Sequence, residues 1–136
     1  MTDAEREAFL ASPRLGILAT LRSDGFPVAL PVWFEWDGSA ARIFTSVASA
    51  KVKRLKRDPR ASLLVANAVG EKEAWVAFDG RVTINRDGGY DLAERLAKRY
   101  WGDLSQPERK QTMDEWREIA DTWRVLELAP GTIRTS

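Results

Sequence analysis

The chain has 136 residues and a formal net charge of +1, from 21 Lys and Arg against 20 Asp and Glu. That is the size of one domain, and so even a balance offers no global field to recruit nucleic acid or an acidic membrane. There is no cysteine and no histidine, which excludes disulfides, thiolate chemistry, a Ser-His-Asp triad and the usual zinc ligands. Any chemistry has to be carried by a bound group, the chain supplying orientation and electrostatics. The opening MTDAEREAFLASPR holds no long apolar run. Neither a signal peptide nor a membrane span is expected, and a soluble cytoplasmic protein is the default.

Thr2 and Glu5 have capping-box spacing, which predicts a helix over residues 3–11 with Ala4, Ala8 and Phe9 inward. Ser12-Pro13 ends it, because the residue before proline avoids helical geometry. Leu15, Ile17, Ala19 and Leu21 then alternate as a strand, closed by the turn Ser23-Asp24-Gly25. A long strand follows from Phe26 to Trp36, interrupted by Pro31, which places that residue at an edge, a bulge or a change of partner. Asp37-Gly38 turns the chain into a third strand, Arg42 to Ser46. A basic helix comes next. Asp58-Pro59 stops it, and the nearly continuous apolar run Ala61 to Ala68 predicts a strand buried on both faces. Ala74 to Asn85 alternates strictly, with Gly80 marking a bulge or a close backbone approach. Asp87 is the expected cap of a helix reaching Trp101, with Leu92, Leu96 and Tyr100 as its apolar stripe. Ser105 and Glu108 have the spacing of a second capping box, opening a helix that carries Met113, Trp116 and Ile119. A last strand runs from Trp123 to Ala129, with Pro130-Gly131 ending ordered structure. No repeat or linker appears, so residues 1–136 read as a single, mainly β domain, an antiparallel barrel with flanking helices.

The stretch from Ile43 to Leu64 carries the chemical signal. A strand ends in the hydroxyls Thr45 and Ser46, and Ser49 can cap the helix that follows. Lys51 then falls in the first helical turn, where a cation is unfavourable beside the positive helix end. An anion held at the free N–H groups would make sense of it. The competing reading is a solvated helix that is basic throughout, with Lys53, Arg54, Lys56 and Arg57.

LATLRSDGFPVALPVWFEWDG, then IFTSVASAKVKRLKRDPRASLLV, then WVAFDGRVTI resemble the pyridoxamine 5′-phosphate oxidase-like, FMN-binding split-barrel family over Phe9 to Leu128. The resemblance implies a six-stranded antiparallel split β-barrel, a homodimer, and a flavin or deazaflavin in grooves at the dimer interface. It implies that Thr45 and Ser46 contact the cofactor's phosphate and ribityl chain, with Lys51 pairing the phosphate beside the Ser49 cap. Val32, Trp33 and Phe34 match the strand against which the isoalloxazine edge lies, and Trp75 stands where the oxidase has a polar cofactor contact. Arg81 is a further candidate for the anion site.

The departures matter as well. Leu30, Glu35 and Ala50 stand where the family carries basic residues, and the extension that closes the vitamin-B6 site does not follow the last strand. Oxidation of pyridoxamine 5′-phosphate is therefore not expected. The expectation is an FMN-dependent oxidoreductase moving hydride to or from a small organic substrate. The alternatives are an F420-dependent reductase of the same fold and a cofactor-binding protein without turnover. No residue stands out as a dedicated acid or base, no metal site is expected, and neither nucleic acid nor membrane is an expected partner.

Overall fold

In the computed structural model, which describes residues 1–136, Thr2 opens the first helix, α1 (Asp3–Ala11), through the predicted capping box. Its hydroxyl accepts from the Glu5 amide at 3.1 Å, and Glu5 accepts from the Thr2 amide at 2.7 Å. The helix docks by its C-terminal end only: Leu10 is buried with Phe9 packed beside it, whereas Ala4 and Ala8, expected inward, are exposed.

The strands are β1 (Gly16–Leu21), β2 (Pro27–Val32), β3 (Glu35–Trp36), β4 (Ala41–Ser46), β5 (Arg60–Ala66), β6 (Trp75–Asn85) and β7 (Trp123–Thr135). They form one antiparallel sheet in the order β2-β1-β5-β6-β7-β4-β3. The six strands expected become seven because the long strand predicted from Phe26 to Trp36 breaks at Trp33 and Phe34. Its two halves are the two edges of the sheet, so continuous chain joins one edge to the other and curls the sheet on itself. Pro27 and Pro31 both lie in β2, which pairs with β1 alone, and an edge strand tolerates a missing donor. At the turn between β3 and β4, the Asp37 carboxylate accepts from the Ser39 and Ala40 amides, each at 2.8 Å, and from Arg42. The Arg42 guanidinium first, then the Ala40 and Ser39 amides, hold its carboxyl well below the usual range.

Three helices complete the chain: α2 (Ala50–Arg57), α3 (Gly89–Trp101) and α4 (Pro107–Glu118). None is long and apolar enough to cross a membrane. The two predicted caps of α3 and α4 do not form. Gly88, not Asp87, precedes α3, in the left-handed region with φ +86°. Gln106, not Ser105, precedes α4, without a side-chain bond, and the Ser105 hydroxyl is donated back to Asp103 at 2.9 Å.

The core lies between the curled faces of the sheet, around Phe34, Leu63, Val65, Val76 and Phe78. A smaller cluster of Leu92, Leu96 and Val125 binds α3 to the sheet, as its apolar stripe predicts. On β1 the buried face is the opposite of the one its apolar alternation suggests. Leu18 and Thr20 point inward at 2% exposure each, while Leu15 and Ile17 are 55% and 37% exposed. On β5 only Ala61, Leu63 and Val65 are buried, and Leu64 is exposed, so that strand is covered on one face rather than both.

The last strand does not stop at Ala129. Asp79 pairs with Thr132 but Gly80 with Pro130, so Gly131 is bulged out and the ladder resumes to Thr135. Arg134 holds the continuation with two bonds to the Asp79 carboxylate, at 2.6 and 3.0 Å. The glycine of β6 is required by the approach of this bulge: a Cβ at Gly80 would meet the Ala129 carbonyl oxygen at 2.7 Å and Leu128 at 3.1 Å. Gly80→Ala is expected to cost about 1–3 kcal/mol by overpacking, read as a lowered midpoint in chemical denaturation. An unchanged midpoint would mean that β7 yields freely at the bulge.

Candidate functional site

The basic helix α2 divides its charges between two tasks. Arg54 donates through Nε to the buried Thr20 hydroxyl at 2.8 Å, and Arg57 donates to the Leu21 carbonyl at 3.1 Å. These two arginines strap the helix across the end of β1. Lys53 and Lys56 are exposed. Lys51 does neither. It is half-buried with no carboxylate beside it, and burial, followed by the nearby Arg54 charge, lowers its pKa below the usual lysine value.

The hydroxyl corner predicted at the end of β4 is present. Thr45, 6% exposed, donates to Ser49 Oγ at 3.0 Å, and Ser49 accepts from the Val52 amide at 3.3 Å as the cap of α2. Ser46 Oγ accepts from the Ala48 amide at 3.2 Å, tightening the turn between strand and helix. Thr45, Ser46, Ser49 and Lys51 are thus brought to one strand-to-helix junction, with the first turn of α2 free of acidic residues.

Lys51 also lines a cavity of about 460 Å³ whose other walls are almost wholly apolar. The end of β2 contributes Pro31, Val32 and Trp33, β4 contributes Ile43 and Phe44, and Leu15 closes one side. Trp101 at the end of α3 and Trp116 on α4 form the remaining wall. The rings are packed on one another. Trp33 meets Trp101 edge-on at 4.9 Å, Phe44 lies 5.4 Å from Trp116, and the two helix tryptophans are 5.9 Å apart. A lone half-buried cation at the edge of an aromatic chamber suits a planar ligand that carries a negative charge at one end.

Not every predicted site residue reaches this chamber: Thr45, Ser46 and Ser49 stand at the junction beside Lys51 but do not line it. Val32 and Trp33 line it, but Phe34 points into the barrel core at 1% exposure and its backbone faces Tyr100. Trp75 stands elsewhere in the chain. It pairs with Ala66, on the same sheet face as Leu64, and its amide donates to Ser136 Oγ at 3.1 Å. Arg81 lies opposite Arg60 and lines a separate cleft with Thr20 and Asp79, so it does not complete the Lys51 site within one chain. Glu35, which stands where the family has a cation, holds Arg95 of α3 with two bonds at 3.1 and 2.9 Å. The residues that sequence reasoning missed are Phe44, Trp101 and Trp116. Their aromatic character was visible, but their convergence depends on how α3 and α4 fold back over β4, which no local pattern encodes.

The chamber's outer margin is also apolar. Ile17 pairs with Pro31 on one side and Leu64 on the other, and Ala19 with Ala29 and Ser62, so these residues share one sheet face. Ile17, Leu64 and the adjacent Leu15 are exposed on it, and Leu15 and Pro31 belong to both this face and the chamber.

An F420H(2)-dependent biliverdin reductase from Mycobacterium tuberculosis is 31% identical over 106 residues, covering 75% of this chain and 74% of the relative. The crystal structure of a conserved hypothetical protein from the same organism superposes with a TM-score of 0.80 at 27% identity, covering 99% of this chain and 84% of that one. An F420 reductase superposes with a TM-score of 0.75 at 26% identity, covering 94% of each chain. Residues 2–135 match the pyridoxamine 5′-phosphate oxidase profile, and the chain belongs to that family.

Proposed function

We propose that this protein is an oxidoreductase that binds the deazaflavin F420 in the chamber at Lys51, with the cofactor's phosphate at the junction of β4 and α2. The observation that carries the reading is the half-buried Lys51, with no carboxylate beside it, at an aromatic chamber, in a chain similar to F420-dependent reductases. The residues present fit such a group. Lys51 supplies a charge in need of a partner, the Ser46 and Ser49 hydroxyls stand beside it at the junction, and the backbone at Trp33 has no ladder partner. Bound there, the deazaflavin supplies hydride transfer to or from a small organic substrate. The chain's own part is to hold the ring against the aromatic wall of Trp33, Trp101 and Trp116 and to neutralise the phosphate.

FMN is the second reading, supported by the same phosphate-binding chemistry. Charge at the phosphate favours F420. The phosphate of FMN is a monoester carrying about −1.5 to −2, as phosphomonoesters do at neutral pH, whereas the diester of F420 carries one charge. Ala50, Leu30 and Glu35 remove the cations that would meet a second.

The site is proposed to be completed by a second copy of the chain. The exposed apolar face of β1, β2 and β5 has small residues at Ala19 and Ala29, which permit close packing of a second sheet, and it borders the chamber through Leu15 and Pro31. Trp75, on that same face but outside the chamber, would enter the site from the second copy. Soluble, cytoplasmic action on a small molecule is part of the same reading.

Titration of the purified protein with F420 and with FMN tests the assignment. Micromolar or tighter F420 binding, with FMN weaker, is expected, and binding of neither sinks it. Lys51→Met should weaken F420 binding about tenfold while holding or raising the thermal midpoint. The sign follows from linkage. The folded pKa of Lys51 lies below its unfolded value, so its charge opposes folding at neutral pH, and that penalty fades as pH rises through the window between the two. Loss of stability in Lys51→Met, with affinity intact, would assign the lysine to packing. Sizing by sedimentation should give a dimer, and Leu64→Lys should shift it to monomer with F420 affinity reduced in parallel. A monomeric starting protein contradicts the shared site.

A further inference from the structure

The hydroxyl of Tyr100 occupies a position that the proposed cofactor site does not itself use. Between β2 and β3 the chain leaves one edge of the sheet and joins the other, and neither Trp33 nor Phe34 has a ladder partner there. A backbone donor without a partner is costly when buried, and Phe34 is 1% exposed. Tyr100 answers for the missing strand. Its oxygen accepts from the Phe34 amide at 3.3 Å, lies 3.3 Å from the Phe34 carbonyl, and donates to the Arg14 carbonyl at 2.7 Å. Burial raises the phenol's pKa, so the donated proton stays in place.

The same side chain fixes what lies on the other side of the break. The Tyr100 ring is parallel to Trp33, with centroids 5.2 Å and planes 3° apart. It is therefore joined to consecutive residues in two ways, by stacking on Trp33 and by hydrogen bonding to Phe34. The helix that carries it is anchored independently, by the Arg95 pair with Glu35 and by Arg99 donating to the Leu10 carbonyl at 3.0 Å.

We infer that Tyr100 is a positioning residue for the cofactor: it sets the orientation of the Trp33 ring and backbone that wall the Lys51 chamber, without touching the ligand itself. The inference rests on the proposed function, since it matters only if a planar ligand lies against Trp33. Removal of the hydroxyl leaves the ring stack but frees the break between β2 and β3. The Trp33 wall then samples several orientations, and ligand binding has to select among them.

The experiment compares the unsubstituted protein with Tyr100→Phe, Lys51→Met and Asp37→Asn, using oxidised F420 and, separately, FMN as probes. Asp37→Asn weakens the turn between β3 and β4, away from the chamber, and serves as a control for lost stability. Tyr100→Phe is expected to weaken probe binding about tenfold, the loss of one hydrogen bond's net contribution, and to alter the absorbance band of the saturated complex. Asp37→Asn should lower the thermal midpoint without either change. If Tyr100→Phe binds with unaltered affinity and band while Lys51→Met binds weakly, the positioning role is overturned and the cofactor site stands. If affinity falls equally in Asp37→Asn, the effect is general stability and the role is again overturned. If neither probe binds the unsubstituted protein, or Lys51→Met binds as tightly, the functional reading fails and this inference falls with it. Amide exchange at Phe34 in the unsubstituted protein needs no variant: protection is expected, and exchange at the rate of an open loop would overturn the strap.

Discussion

A strand that belongs to both edges of one sheet must surrender its ladder bonds somewhere, and in this chain it does so at Trp33 and Phe34. The rest of the architecture depends on how those lost bonds are replaced. Had the strand run straight, Trp33 would lie in the sheet and the sheet would have two open edges. With the break, continuous chain links the edges, Phe34 enters the core, and Trp33 turns toward the chamber. Tyr100 supplies the polar partner, and Glu35, immediately after the break, supplies the ion pair that seats α3. Closure of the sheet, docking of α3 and the aromatic wall are therefore one set of contacts.

The basic helix shows how local electrostatics can be divided between fold and site. Arg54 and Arg57 lie toward its C-terminal end, where positive charge is favoured, and their guanidinium groups are used on β1. Lys51 lies at the unfavourable end and is desolvated without a partner. A fold selected for stability alone would place a carboxylate or a neutral residue there. Under the proposed function, its presence there is stability given up for ligand charge, a pattern expected of binding sites.

Patterns that depend on neighbouring residues were legible from sequence, and those that depend on distant chain were not. The Thr2 and Glu5 box formed because nothing competes for either side chain. The Ser105 and Glu108 box has the same spacing and does not form: α4 is capped at Gln106, one residue later, and Ser105 turns back to Asp103. Gly80 was readable as a bulge, yet its consequence for β7 was not, because Pro130-Gly131 ends a strand in isolation and becomes an insertion only opposite a glycine. In the site, the strand-to-helix junction at Thr45, Ser46, Ser49 and Lys51 was legible as a contiguous segment. Trp101 and Trp116 were not, since they reach Phe44 and Trp33 only through the return of two helices across the sheet.

The inverted face of β1 is the most informative of these failures. Alternation identified a strand correctly, and the ordinary premise that the apolar side is the buried side would put Leu15 and Ile17 in the core, yet both are exposed. In one chain the premise fails. Leu18 and Thr20 fill the interior, and the opposite set stays in water beside Leu64. Such a strand has two faces that each avoid solvent, which is what a sheet packed between its own core and a second sheet requires. The reading of β5 as covered on both faces has the same origin. Under the proposed pairing, both expectations describe the assembly rather than the single chain. The arrangement also explains why the chamber is bordered by exposed Leu15: a wall left open in one copy is the surface on which the second would close.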